Sequence, residues 1–310
     1  MMKFVKEFNE GDRVTSQFLV SNLSRGVNTL GASYYNLELR DCTGSIPAKK
    51  WEVVDGDEAL LAPGKVINAT LEIIKYRESL QAKVIAVSAV ADEDIDIVRF
   101  VQAPPVAKEE LIASFNKYVN SISDKDCKAL LDYFINKYQD KLYFYPAASS
   151  IHHEYTSGLL MHITSMCKLG EFMASNYQNL DHDLLISGII LHDIGKLTEL
   201  EGPIVFHYSL EGRLIGHISI MAAEIKEASN KLGLTSEKPL LLQHMILSHH
   251  GQMEFGSPVL PLTSEALALH LIDNVDSKLT ILNKALDETK EGEFTTKIYP
   301  LDGRQFYKHH

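Results

Sequence analysis

The hydrophobic pattern changes period about a third of the way along the chain. Up to residue 90, apolar and polar positions alternate in short runs. GDRVTSQFLV, SYYNLELRD, GSIPAKKWEV, GKVINATLEIIKY and LQAKVIAVSAV are rich in β-branched and aromatic residues and show partial two-residue alternation. They predict five strands. Asp41-Cys42-Thr43-Gly44 predicts a turn between the second and third. An acidic, helix-compatible stretch precedes Pro63-Gly64 and the fourth. From Glu109 onward, apolar residues recur every three or four positions. EELIASFNKYVNSI, CKALLDYFINKYQDKL, SGLLMHITSMCKLGEFMASNY, DLLISGIILHDIGKL, GHISIMAAEIKEASNKLG, KPLLLQHMILSHHG and SEALALHLIDNVDSKLTILNKALDET predict successive helices. Ser123 and Asp124 are candidate caps for the second of them.

Between the two patterns, residues 91–108 carry the acidic run ADEDID and the pair Pro104-Pro105, which precludes a continuous helix. The predicted organisation is a β-domain over 1–90, a linker over 91–108 and a helical domain over 109–310, with its functional core at about 150–285. The fold class is multidomain, β followed by all-α. Five short strands with an insertion between the third and fourth match an OB-fold barrel. Such barrels hold single-stranded nucleic acid by stacking bases on aromatics and steering phosphates with Lys and Arg. Tyr34, Tyr35, Trp51 and Tyr76, with Lys49, Lys50 and Arg77, are the candidate contacts. The competing expectation for each aromatic is a place in the core.

Composition narrows the classes. With 310 residues, 45% apolar and 23% charged, the chain can build two sizeable cores. No signal-like h-region and no long uncharged apolar run is visible, so a cytoplasmic protein without a membrane partner is expected. Cys42, Cys127 and Cys167 lack metal or disulfide spacing, which suits a reducing compartment. A net charge of −11 argues against grip on nucleic acid by bulk electrostatics. Residues 1–90 hold 11 basic and 11 acidic residues, so the acid excess lies downstream. Histidine is lopsided too. None of the 13 precedes His152, and 11 fall between His152 and His270. The closing His309–His310 pair is either native or the remnant of a purification tag and is set aside.

The chemistry centres on ISGIILHDIGKL, residues 186–197. An apolar run ends in His192-Asp193, followed by Gly195 and Lys196. A neutral imidazole beside a carboxylate suits Mn, Fe, Co or Zn better than Ca. Taken alone, the pair is also compatible with an ordinary polar helix end. The other predicted helices add to it. His162 lies inside one, His217 opens another, His249-His250 end a third, and Asp273 sits inside the last. One donor or pair per successive helix is how a bundle builds a dinuclear core site. Lys196 either neutralises a scissile phosphate or is a helix-terminal Lys favoured by the macrodipole. His207 lies on a loop before His217 and could cap the cleft. His182 fits a helix start, His244 a packed or solvent-facing position, and His270 a place behind the ligands.

The order H…HD…H…H…D, carried by LLMHI, LHDIGK, GHISI, ILSHHG and LHLIDNVD, resembles the HD-domain metal-dependent phosphohydrolases over about 150–285. With LRDCTGSIPAKKW, HHEYTSGLLMHI and FTTKIYPLDGRQFYK, the whole chain resembles the YhaM-type exoribonucleases of Gram-positive bacteria. That resemblance implies 3′-5′ degradation of single-stranded RNA to nucleoside monophosphates, with single-stranded DNA as a further substrate to test. It implies two divalent transition-metal ions, Mn²⁺ first and Fe, Co or Zn as alternatives. Carried onto this chain, His162, His192, Asp193 and Asp273 would hold one ion. Asp193 would bridge to a second, held also by His217 and His249. Asp276 competes with Asp273 for the last station. His250 would join the second ion or touch substrate, and His153 would contact phosphate. Bridging ions would lower the pKa of a shared water and stabilise an in-line phosphoryl displacement. Two other functions stay open: an HD phosphohydrolase of free nucleotides or cyclic dinucleotides, and a non-enzymatic OB-fold nucleic-acid-binding protein. Homo-oligomer formation is left open as well. The absence of a GYP motif beside the HHG weakens the cyclic-dinucleotide version.

Overall fold

The computed structural model describes residues 3–29, 31–77, 79–96, 99–100, 106–145, 157–202 and 207–310. They form two units, one built on residues 3–100 and one on residues 106–145, 157–201 and 207–310.

The first unit is the expected five-stranded barrel. Its strands are β1 (Arg13–Val27), β2 (Ser33–Asp41), β3 (Gly44–Lys50), β4 (Val66–Tyr76) and β5 (Ser79–Ala89), closed in the order β1-β2-β3-β5-β4. All neighbours pair antiparallel except β3 and β5, which run parallel. A short helix, α1 (Asp57–Leu60), fills the expected insertion between β3 and β4. This is the OB arrangement. The barrel interior is apolar, with Phe18, Leu37, Leu39, Ile67, Leu71 and Ile73 among its buried residues. Two-residue alternation sets which side chains enter it. On β2, Tyr35, Leu37 and Leu39 point in, while Tyr34 and Glu38 do not.

The second unit is a helical bundle with α2 (Lys108–Ser121), α3 (Lys125–Leu142), α4 (Gly158–Asn176), α5 (His182–Leu191), α6 (Lys196–Glu199), α7 (Leu210–Leu232), α8 (Lys238–Ser248) and α9 (Ser264–Asp287). Four of these helices, α3, α5, α7 and α9, begin at side-chain caps. Asp124 accepts from the Asp126 and Cys127 N–H groups, and Asp181 from Leu184. Ser209 caps α7 and Thr263 caps α9 in the same way. Every residue of α5 from Leu184 to Leu191 is buried, so this helix is the axis of the unit. An all-apolar helix has no solvent face to choose, and its neighbours close around it on every side. The unit is not wholly helical. β6 (Leu200–Glu201) and β7 (His207–Tyr208) pair as a two-stranded ribbon between α6 and α7.

α7 also begins earlier than the sequence pattern suggested, at Leu210 instead of near Gly216. Gly216, at φ 78° and ψ 152°, bends it just before His217. Only glycine adopts that backbone shape readily. The two half-helices therefore share one hydrogen-bonded segment without sharing an axis. No helix among the described residues is long and apolar enough to cross a membrane.

Candidate metal centre

Five segments of the bundle converge on Asp193. His162 comes from the middle of α4, His192 caps α5, and Asp193 follows it. His217 stands just after the bend in α7, His249 caps α8, and Asp273 lies within α9. Asp193 Oδ2 lies 3.3 Å from His192 Nε2 and 4.0 Å from His162 Nε2. Asp193 Oδ1 lies 3.5 Å from His217 Nε2 and 3.9 Å from His249 Nε2. Its two oxygens thus face two different pairs of imidazoles. Asp273 Oδ1 is 3.4 Å from His162 Nε2. The donors fall into two groups, His162-His192-Asp193 and His217-His249-His250, each compact enough to hold one metal ion.

The far side of each ring explains its orientation. His192 Nδ1 donates to the Ile189 carbonyl at 2.7 Å, and His249 Nδ1 to the Ile246 carbonyl at 2.7 Å. His250 Nδ1 meets the Phe255 carbonyl at 2.7 Å. His162 Nδ1 is held by Asp276 Oδ2 at 2.8 Å, and His217 Nδ1 by Glu199 Oε1 at 3.1 Å. With Nδ1 used as a donor, the Nε2 lone pair is left facing inward, as a metal-ligating histidine requires. The inner atoms have no other use. His192 Nε2, His217 Nε2, His249 Nε2 and Asp193 Oδ1 are buried without a hydrogen-bond partner. Buried polar atoms are rarely left so, and a cluster of four aimed into one space fits a divalent cation.

The electrostatics agree. Burial alone would raise the Asp193 carboxyl, but Lys196 and the surrounding imidazoles hold it well below the usual carboxylate range. Lys196 Nζ sits 2.6 Å from Asp193 Oδ2. Burial opposes the Lys196 charge, and Asp193 outweighs that opposition and raises it. Burial and the neighbouring His192 push His249 down, and burial pushes His250 down, so both stay neutral and available as ligands.

Two alternatives left open by the sequence are separated by these contacts. Asp276 is occupied on the back of His162 and also accepts from the Ser165 hydroxyl, whereas Asp273 faces the imidazole atom that points inward. Asp276 thus lies behind His162, and Asp273 lies beside its inward-facing nitrogen. Glu199, which no spacing in the sequence singled out, takes the matching role behind His217. His270 Nδ1 contacts the His249 carbonyl at 3.0 Å, also behind the ligands. His182 is the first residue of α5, and His244 accepts the Leu262 N–H at 2.9 Å. His153 lies outside the described residues, and so does the side chain of His207, whose backbone is in β7.

The barrel candidates divide. Tyr34 and Trp51 pack with ring centroids 4.8 Å apart, and Lys49 Nζ lies 5.1 and 5.3 Å from the two rings. Trp51 is 44% exposed, so this cluster is open to solvent. Tyr76 is exposed near the β4–β5 turn, with Arg77 over its ring at 5.3 Å. Two expectations are corrected. Tyr35 is buried in the barrel core because it shares the inward parity of Leu37 and Leu39, so it cannot stack on a base. Lys50 is buried and committed to Asp57 at 2.7 Å and to the Glu52 carbonyl, so it cannot steer a phosphate.

Residues 159–278 match the HD domain family, over a span that contains His162, His192, Asp193, His217, His249, His250 and Asp273. Across its whole length the chain is similar to a curated protein, the 3′-5′ exoribonuclease YhaM of Geobacillus sp. (strain WCH70). Identity is 38% over 309 residues, covering 99% of this chain and 95% of that one. The chain belongs to the YhaM-type exoribonuclease family. Its YhaM-type character covers both units, since the match takes in the barrel as well as the bundle. Among solved structures, one likeness is a replication protein A heterotrimer bound to ssDNA. It has 18% identity and a TM-score of 0.22, with 29% of this chain and 66% of that chain covered. Another is the second OB-fold domain of replication protein A from Methanococcus maripaludis. It has 17% identity and a TM-score of 0.23, with 30% and 97% covered. Likenesses at these scores decide nothing about this family's substrate.

Proposed function

We propose that this chain is a metal-dependent 3′-5′ exoribonuclease that shortens single-stranded RNA to nucleoside monophosphates. The observation that carries it is the set of four buried, unpartnered imidazole and carboxylate atoms around Asp193, in a chain related along its whole length to an exoribonuclease. His162, His192, Asp193 and Asp273 would hold one divalent ion, and Asp193, His217, His249 and His250 a second. When bound, such ions acidify a water and neutralise charge on a phosphodiester under displacement. Mn²⁺ is the proposed occupant, because the carboxylates of Asp193 and Asp273 supply the hard oxygens it prefers beside the imidazoles.

The protein's own residues supply orientation and charge. The carbonyls of Ile189 and Ile246, with Asp276 and Glu199, keep the ligand rings from turning. Lys196, whose ammonium stands beside Asp193, would neutralise charge on a scissile phosphate at the site. On the barrel, Tyr34, Trp51 and Lys49 provide a stacking surface for unpaired bases, with Tyr76 and Arg77 as a second contact. We place the activity in the cytoplasm.

A 5′-end-labelled single strand digested with Mn²⁺ tests the proposal. Stepwise shortening, release of nucleoside monophosphates and stalling at a stable duplex are expected. Cleavage of a circular RNA, or turnover of free nucleotides alone, would overturn it. DNA of the same sequence in parallel lanes, and sedimentation of the intact chain, decide DNA activity and oligomeric state.

A further inference from the structure

Glu199 is the last residue of α6, and its carboxylate is buried against the bend in α7. One oxygen, Oε1, receives two hydrogen bonds from one residue: the His217 backbone N–H at 3.0 Å and His217 Nδ1 at 3.1 Å. The backbone bond lies at the bend, where Gly216 takes a left-handed φ of 78° and interrupts the helical geometry just before His217. Glu199 thus accepts a backbone donor beside the bend and turns the imidazole with the same atom. Its own backbone is clamped too. The Ser209 N–H donates to the Glu199 carbonyl at 2.9 Å, which fixes the carboxylate relative to α7. No other ligand candidate has both its backbone and its ring tied to a single side chain among the described residues.

The four imidazoles facing Asp193 are therefore not held alike. His192 and His249 lean on carbonyls within their own helices and keep their orientation wherever those helices fold. His217 depends on a residue from a different element, across a glycine bend. From this difference we infer that Glu199 is a positioning residue for the second ion alone. It acts through His217, fixing the Nδ1–H tautomer and the bend together, while the His162-His192-Asp273 side stands without it. The inference rests on the dinuclear reading proposed above.

The test is Mn²⁺ binding to the full-length chain, followed by equilibrium dialysis and by the spin-coupled electron paramagnetic resonance signal of two adjacent ions. Wild type is expected to take up two ions and show the coupled signal. Glu199→Ala should bind the first ion within roughly twofold of wild type and the second about 10–100-fold more weakly, the usual cost of losing a carboxylate behind a ligating histidine. The coupled signal should give way to that of an isolated ion. Glu199→Gln keeps an oxygen for both His217 donors and loses only the charge. It should restore the melting temperature and recover part of the second-ion affinity, and it serves if the Ala variant does not fold. Equal weakening of both ions, or an unchanged second ion in both variants, overturns the inference and leaves the dinuclear reading intact. A wild-type chain that binds one ion and shows no coupled signal overturns the dinuclear reading and this inference with it.

Discussion

Gly195 lies directly against His217: a Cβ at Gly195 would stand 2.3 Å from the His217 carbonyl oxygen. The start of α6 and the bend of α7 therefore meet backbone to backbone, and the HD pair and His217 are brought together by the absence of one methyl group. Gly195→Ala must push α7 outward. Overpacking of this kind costs about 1–3 kcal/mol, and the displaced residue here is a ligand candidate. The variant should lose stability by that amount in denaturant melts and should bind the second ion more weakly. Stability within about 0.5 kcal/mol of wild type, the range of a neutral surface change, would show that the contact is not tight in solution.

Among the described residues, Asp193 is the side chain whose two oxygens face both groups of imidazoles. Asp193→Asn keeps its volume and removes its charge. Loss of a partner behind a ligand costs about 10–100-fold in metal affinity or activity, so loss of the shared ligand should cost more than that, with the circular-dichroism spectrum retained. Metal analysis of the purified variant after dialysis is the measurement. Full metal content and full turnover would remove Asp193 from the site.

The convergence of the histidines on Asp193 is legible in the sequence because each histidine terminates or interrupts an apolar run of helical period, as His192 does after ISGIIL and His249 after LLQHMILS. Their partners are not. Glu199 and His217 are 18 residues apart, and His162 and Asp276 are 114 apart. Such pairs are made by tertiary packing, which leaves no local period. Glu199 in particular looks like any acidic residue at a helix end. The barrel errors differ in kind, since their signal was present. Tyr35, Leu37 and Leu39 share one parity of β2, and Ile46, Ala48 and Lys50 share one parity of β3. Following that alternation would have sent Tyr35 and Lys50 inward and left Tyr34, Lys49 and Trp51 as the outer set. The bend at Gly216 was hidden because α7 continues on both sides of it with compatible composition.

His162 carries the pH dependence of ion binding. Burial disfavours its charged form, but hydrogen bonds to Asp273 and Asp276 outweigh burial and lift the metal-free imidazole to about 9. The folded value lies above the unfolded one of about 6.5. The charged ring therefore stabilises the metal-free chain fully below pH 6.5, and that contribution is lost as pH rises through 9. An ion needs the neutral ring and must displace the proton. Apparent Mn²⁺ affinity at the first site should rise steadily from pH 6 to 8. Calorimetry at pH 7 in buffers of different ionisation enthalpy should show about one proton released per first ion. A binding heat independent of buffer would contradict the assignment of His162 as a protonated ligand in the metal-free state.

The barrel makes the last prediction. Tyr34, Trp51 and Lys49 form one open cluster, whereas Tyr35 and Lys50 belong to the interior. Stacking a base on an aromatic ring contributes about 1–3 kcal/mol. Trp51→Ala with Tyr34→Ala should therefore raise KM for a long single strand about tenfold or more. It should leave kcat on a dinucleotide, which needs only the metal centre, within roughly twofold of wild type. Tyr35→Ala is the contrasting variant. It opens a cavity in the barrel core and should cost about 3–5 kcal/mol of stability, in the range of other large buried aromatics. Because residues 1–90 carry 11 basic and 11 acidic groups, the share of affinity lost in the Trp51/Tyr34 variant should change little between low and moderate salt. Binding dominated by phosphate contacts would fall steeply over the same range. An unchanged long-strand KM in the double variant would take the barrel out of RNA grip and leave substrate selection to the helical unit alone.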